Sequence, residues 1–194
     1  MNNIVLTVVS KSFDGREILK NVSMRFEAGQ TVCIRGRSGI GKTTLLRIIA
    51  GLMAPDSGTV SAVPERIGFV FQEDRLCEDF SALSNIRLVT GRALPKEDIL
   101  RHLEELELAE SALQPVRDFS GGMKRRVALA RAVCADPDLL ILDEPFKGLD
   151  PELRMKVIAY IKRHVEGKTV LCVTHDVSEA LYMGGTIIDL DDLF

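Results

Sequence analysis

The run GRSGIGKTT, from Gly36 to Thr44, holds the densest chemistry in the chain. Gly36, Gly39 and Gly41 let backbone N–H groups turn inward, with Arg37, Ser38 and Ile40 spacing them. A strand-like TVCIR precedes the run and an apolar-periodic stretch follows it, so the loop opens a helix whose N–H groups and dipole suit phosphate oxygens. Lys42 then reaches the terminal phosphates, and the hydroxyl of Thr43, followed by Thr44, offers a ligand to Mg²⁺. Farther on, LLILDEP ends an apolar run on two carboxylates. Asp143 falls where a metal shell would be, and Glu144 one residue later, where it can accept a proton from attacking water. A second cradle sits in DFSGGMKRR: Ser120, Gly121 and Gly122 offer a hydroxyl and free N–H groups at the start of the helix KRRVALARAV. Two phosphate cradles in one short chain raise the question of what the second one holds.

The elements that must position these residues follow from periodicity. NIVLTVVSKSF and LKNVSMRFEAGQTVCIRG alternate apolar and polar residues around the turn signals DG and AG, which predicts a β-rich opening. Gly41 to Ala50 reads as a helix. RIGFVFQ, DLLILDEP and TVLCVTH are short apolar runs of the kind that form a parallel sheet covered on both faces. From about Leu76 to Phe119 the texture turns helical and charged. PKEDILRHLEELEL places Ile99, Leu103 and Leu106 on one face after a proline, so this stretch reads as an inserted helical lobe. The polar run Thr174, His175, Asp176 follows a buried strand, where sheets of this type place ligand groups. At least two of Lys124, Arg125 and Arg126 are expected on a solvated helix face. His102 and His164, in charged helical stretches, are expected to be solvated too.

Composition excludes several classes. The 194 residues suit one domain with an inserted lobe, and 46% hydrophobic content supports a buried core. A net charge of −3 gives no general attraction to nucleic acid, and no such partner is expected. Apolar runs such as LLRIIAGLMA, broken by Arg47, fall short of the roughly 20 residues a bilayer span needs. The N-terminus lacks the basic start and cleavage site of a signal peptide, so a cytoplasmic location is expected. Cys33, Cys77, Cys134 and Cys172 are scattered, without metal-ligand spacing, and read as reduced thiols.

Taken in order, these pieces resemble the ATP-binding cassette (ABC) ATPases over essentially the whole length. The resemblance is carried by Phe13, the Walker A loop at 36 to 44, Gln72 in FVFQEDRL, the signature loop at 119 to 123, the Walker B pair Asp143 and Glu144, Asp150 in GLD, and His175. The signature reads FSGGM where the family more often has Leu and Gln at its ends, but its SGG core is intact. It implies an α/β P-loop NTPase fold, with a parallel-sheet core, an N-terminal antiparallel β subdomain and an inserted helical subdomain, in a single domain over 1–194. It implies that Phe13 stacks on adenine, that Gln72 senses Mg²⁺ and the attacking water, and that His175 holds the γ-phosphate and Glu144 in register. Asp150 then belongs to the loop linking two sites, because cassettes pair head to tail and the SGG of one holds the ATP of the other.

The implied cofactors are ATP and Mg²⁺. The implied partners are a second copy, integral-membrane permease subunits and a solute-binding protein, with the chain peripheral at the cytoplasmic face of the membrane. KSFDGREILKNVS, VFQEDRL and LDEPFKGLD look most like cassettes serving nitrate, sulfonate, taurine and related small anions. The short stretch after His175 carries no regulatory domain in this reading. The alternatives are the ATPase of an export system and a soluble ABC ATPase outside transport. A GTPase is disfavoured by the lack of an N-K-x-D run.

Overall fold

Runs such as LLILD and TVLCV are too apolar to show either face to water, and they become the buried interior of a parallel sheet. The computed structural model describes residues 2–192. Its five-stranded sheet runs β5 (Ile67–Val70), β6 (Leu139–Asp143), β7 (Thr169–Val173), β3 (Thr31–Arg35), β8 (Thr186–Asp189), with every neighbouring pair parallel. The pairings Asp143 with Val173 and Ile34 with Val173 level the carboxyl ends of β6, β7 and β3. The loops that leave those ends therefore start in one row, the edge at which open α/β sheets bind ligands.

Side chains alternate across this sheet and feed two cores. Val32, Ile34, Leu139, Ile141, Leu171 and Val173 pack with α1 (Lys42–Ile49) and with Ile4, Leu6, Val9, Leu19, Val22 and Phe26 of the opening strands. Those strands, β1 (Ile4–Phe13) and β2 (Arg16–Phe26), form an antiparallel sheet with β4 (Ser57–Ser61), in the order β2-β1-β4. The short SGTVS strand has no sequence signature, because five residues with a single half-buried apolar side chain leave almost no periodic signal. On the other face, Cys33, Leu140, Leu142, Val170 and Cys172 pack with α4 (Gly121–Cys134), α5 (Pro151–His164) and α6 (Val177–Met183).

The charged middle stretch supplies α2 (Ala82–Thr90) and α3 (Lys96–Glu105). Pro95 caps α3, and Ile99, Leu103 and Leu106 are all buried, as their spacing predicts. Helix α1 begins at Lys42 rather than Gly41, because Gly41 takes φ 109°. A Cβ there would lie 2.8 Å from Leu19 Cδ2, so the position admits only glycine.

Two expectations about charged residues are overturned. Of Lys124, Arg125 and Arg126, two are buried, with relative exposures of 5% for Arg125 and 8% for Arg126. Each donates to backbone carbonyls. Arg125 donates to Phe71 O at 2.6 Å and also to Gln72 O, while Arg126 donates to Leu106 O at 2.6 Å and Gly122 O at 3.2 Å. A guanidinium can be buried on such terms because its planar fork presents several donors to carbonyls at once. Likewise His102 and His164 are half-buried, since α3 turns its charged face to α5. His102 Nδ1 lies 2.9 Å from the Tyr160 hydroxyl, and His164 Nε2 lies 2.9 Å from Glu105. Burial, and then the neighbouring His164, hold His102 below the usual histidine range.

Replacing Arg126 by Met keeps the bulk but strands the buried Leu106 carbonyl. The expected loss is about 2 kcal/mol, from the usual worth of a hydrogen bond to a charged group. Urea unfolding checks this, and an unchanged midpoint would show that the carbonyl finds another partner.

Candidate nucleotide site

The loop from β3 to α1 curls around its own lysine. Lys42 is only 7% exposed, and its Nζ donates to Gly36 O at 2.6 Å and Arg37 O at 2.9 Å, which leaves one N–H for a ligand. Gly36, Gly39 and Gly41 all take positive φ, which aims N–H groups that a right-handed turn would point outward. Within the loop the Ile40 N–H donates to Arg37 O at 3.4 Å, and Arg37 turns its own N–H outside the loop. It donates to Asp191 Oδ2 at 2.7 Å, and its Nε lies 3.3 Å from Asp191 Oδ1. Its backbone thus anchors the loop to the segment after β8.

Thr43 lies one residue into α1, and its hydroxyl donates to Asp143 Oδ2 at 2.8 Å, joining the helix to the end of β6. Asp143 is 2% exposed. Burial raises its pKa above the usual carboxylate value against the Thr43 hydrogen bond, and the charge of Glu144 raises it further. Glu144 itself is turned by a left-handed φ of 50°, with its N–H held by Val173 O at 2.9 Å. Such a backbone costs about 1 kcal/mol, and it swings the carboxylate toward β7. There His175 Nε2 lies 3.4 Å from Glu144 Oε2. His175 is not a helix cap, because Asp176 caps α6 by accepting from Ser178 N–H at 2.8 Å.

One cavity of about 330 Å³ collects the predicted residues. It is lined by Phe13, Ser38, Gly39, Gly41, Lys42, Thr43, Thr44, Gln72, Glu144 and His175, together with Ile18. Phe13 stands at the end of β1, 41% exposed, whereas Phe26, near it in sequence, is sealed in the core. Arg37 instead lines an adjoining cavity of about 620 Å³, where Arg16 and Lys20 add positive charge and Ile18, Ser38 and Gly39 form a shared wall. Ile40 packs in the core beneath the loop.

Gly36 and Asp143 adjoin this cavity through Lys42 and Thr43 without lining it, and Ser120, Gly121, Gly122 and Asp150 belong to other loops. Ser120 caps α4 by accepting from Met123 N–H at 3.3 Å, and a Cβ on Gly121 would meet nothing within 4 Å. Asp150 caps α5, accepting from Leu153 N–H at 2.9 Å. A Cβ on Gly122 would lie 3.5 Å from Leu149 and 3.7 Å from Gly148 O, so the SGG and GLD loops form one exposed surface of their own. Asp191 and Ile18 escaped the sequence reading. Only the register of β8 on β3, which pairs Asp189 with Arg35, reveals that Asp191 meets the loop.

The donor set suits Mg²⁺. Among the described residues no cluster of three or more His, Cys, Asp or Glu side chains could cage a metal. A hydroxyl and a single carboxylate at hydrogen-bond distance instead match an ion that keeps its waters and takes its other oxygens from phosphates. The raised pKa of Asp143 fits too, since a cation would offset a charge that burial disfavours.

A pH prediction follows from Asp143. Its folded pKa lies above the unfolded value of about 3.9, so the native state holds the proton more tightly. Stability is therefore greatest below the unfolded value and falls as pH rises through the folded one. Without Mg²⁺, Asp143→Asn is expected to unfold at higher urea than the unsubstituted protein at pH 7. The gap should close near pH 4, and Mg²⁺ with nucleotide should stabilise only the unsubstituted protein. Equal urea midpoints at both pH values would show that Asp143 ionises without cost.

Residues 19–147 match the family described as ABC transporter. An aliphatic sulfonates import ATP-binding protein, SsuB 2 of Pseudomonas fluorescens, is 40% identical over 194 residues, which cover 95% of this chain and 72% of that protein. SsuB of Pseudomonas putida is 42% identical over 192 residues, covering 94% of this chain and 70% of its own. Among solved structures, the dimeric structure of MJ0796, a bacterial ABC transporter cassette, aligns with a TM-score of 0.86 at 32% identity, covering 96% of this chain and 93% of that one. A dimeric post-hydrolysis state of the same cassette, bound to ADP and Pi, aligns at 0.85 over the same shares. With the glycine loop, Glu144 and His175 around one cavity and Asp143 bonded to Thr43 beside it, the chain belongs to the ABC transporter family and is one of its ATPases.

Proposed function

We propose that this chain is the ATP-hydrolysing subunit of an importer for a small sulfonate-like anion, working as a head-to-tail pair beneath separate permease subunits. The observation that carries the pairing is the separation of the two cradles: Lys42, Thr43 and Glu144 share one cavity, while Ser120 and Gly121 are exposed outside it and a Cβ on Gly121 would meet nothing within 4 Å. The solute class rests on the relatives, which are named as aliphatic sulfonates import ATP-binding proteins. Among the described residues no helix is long and apolar enough to cross a membrane. In this reading the solute path lies in the integral-membrane permease, a solute-binding protein delivers the anion, and the chain docks at the cytoplasmic face.

Within the pair, Phe13 stacks on the adenine, and the N–H groups of Ser38 to Thr44 take the phosphate oxygens. Lys42 turns from the Gly36 and Arg37 carbonyls to the terminal phosphates. Mg²⁺, held by Thr43, Asp143 and Gln72, would neutralise charge on the phosphate oxygens. Glu144 accepts the proton of the attacking water, and His175, 3.4 Å away, keeps that carboxylate in line with the γ-phosphate. Ser120, Gly121 and Gly122 of the second copy close the far side, and Asp150 lies in the loop between the two sites. Hydrolysis thus waits on closure.

Three outcomes test this. Lys42→Ala should lower turnover by about a hundredfold or more, with weaker ATP binding. Glu144→Gln should bind Mg²⁺-ATP normally, fail to hydrolyse it and sediment as a dimer. Adding Ser120→Arg should abolish that dimer while the monomer keeps its affinity; loss of nucleotide binding by a folded Ser120→Arg monomer would place both cradles in one site and end the head-to-tail reading. The solute class is checked by deleting the gene and measuring uptake of a small alkanesulfonate, and unchanged uptake would count against it.

A further inference from the structure

Gln72 is exposed in the linker between β5 and α2, and its backbone is what holds it. The two terminal nitrogens of Arg125 donate to consecutive carbonyls, to Phe71 O at 2.6 Å and to Gln72 O, and its Nε lies 3.2 Å from Asp74 Oδ1. One guanidinium thereby gathers three positions of the linker. Arg131 shares Asp74 and adds Arg75, donating to Asp74 O at 3.1 Å and Arg75 O at 2.9 Å, while Lys124 reaches Glu78 at 2.9 Å. Both arginines belong to α4, whose N-terminus is the Ser120 cradle. Arg126, one residue on, points instead to the Leu106 carbonyl at 2.6 Å, so the two neighbours bolt the helix to different parts of the chain.

We propose that Arg125 is a positioning residue that makes Gln72 move as one body with the signature end of α4. A nucleotide gripped by Ser120 to Gly122 is then felt at Gln72 of the other site, and the two sites of a pair are coupled through this chain's own guanidinium. The geometry supports transmission because the fork spans two carbonyls in a row. A rotation of α4 that kept both bonds must carry Phe71 and Gln72 with it. Asp74 adds a reason for the charge: its Oδ1 is buried without a hydrogen bond, and Arg125 is the cation beside it. The inference rests on the head-to-tail reading above and adds to it a route by which one site reports to the other.

The test uses the full chain with Mg²⁺-ATP, comparing Arg125→Met, Gln72→Ala and the double variant. Arg125→Met is expected to leave KM for ATP within about twofold and to lower kcat about tenfold or more, as misplacement of a site group does. Acting through Gln72, it should add nothing to the Gln72→Ala loss, so the double variant turns over no more slowly than Gln72→Ala alone. Hydrogen exchange should quicken at residues 71–75 and stay unchanged in β6. Wild-type kcat in Arg125→Met, or losses that multiply in the double variant, would overturn the inference. Should Arg125→Met fail to fold, Arg125→Lys keeps a cation near Asp74 without the fork, and it is expected to show the same kcat loss at smaller size; full kcat there overturns the inference as well. Lys42→Ala separates the two levels: turnover that survives it removes the ATPase assignment of the site, whereas its loss beside an unaffected Arg125→Met removes only the role of Arg125.

Discussion

The 2.8 Å hydrogen bond from Thr43 to Asp143 is the contact on which the site depends. It crosses from the first turn of α1 to the end of β6, and so joins the glycine loop before α1 to the strand that delivers the carboxylates. Everything else in the site is measured from those two points. Lys42 precedes Thr43, Glu144 follows Asp143, and His175 is set against Glu144 because β7 lies beside β6 with Val173 opposite Asp143. A parallel sheet suits this arrangement since its carboxyl ends share one edge, and short loops from separate strands reach a common space.

That arrangement works against the fold in places. Asp143 is buried where its charge is disfavoured, Glu144 takes a left-handed backbone, and Lys42 sits at the cavity floor with carbonyls for company. In the proposed reading a triphosphate and a divalent cation would offset these costs, so binding would relieve what folding leaves strained. The chain offsets such costs in its two cores, where the sheet is packed on both faces.

How much was legible in the sequence follows the range of each interaction. The phosphate loop, the carboxylate pair and the strand before His175 are local patterns, so residue type and spacing suffice to find them. The burial of Arg125 is not local, since its partners lie 54 and 53 positions away, and a basic run at a helix start reads as solvated until those carbonyls are seen. The same holds for His102, whose Tyr160 partner is 58 positions distant. Strand β4 was missed for a different reason: an edge strand of five residues, mostly exposed, needs no hydrophobic alternation to pair with β1.

The anchoring of Arg37 by Asp191 also has a kinetic side. Strand β3 is made early, yet its only neighbours in the sheet are β7 and β8, and the loop after it is tethered across 154 positions. During synthesis, β1, β2 and α1 can collapse on one another as soon as they appear, but β3 must wait until β7 and β8 have been made. High contact order of this kind slows the last step of folding and leaves an apolar strand unpaired meanwhile. A nascent chain therefore completes the tether of the 36–44 loop only after β8 and Asp191 have been made, and a settled loop marks a closed sheet.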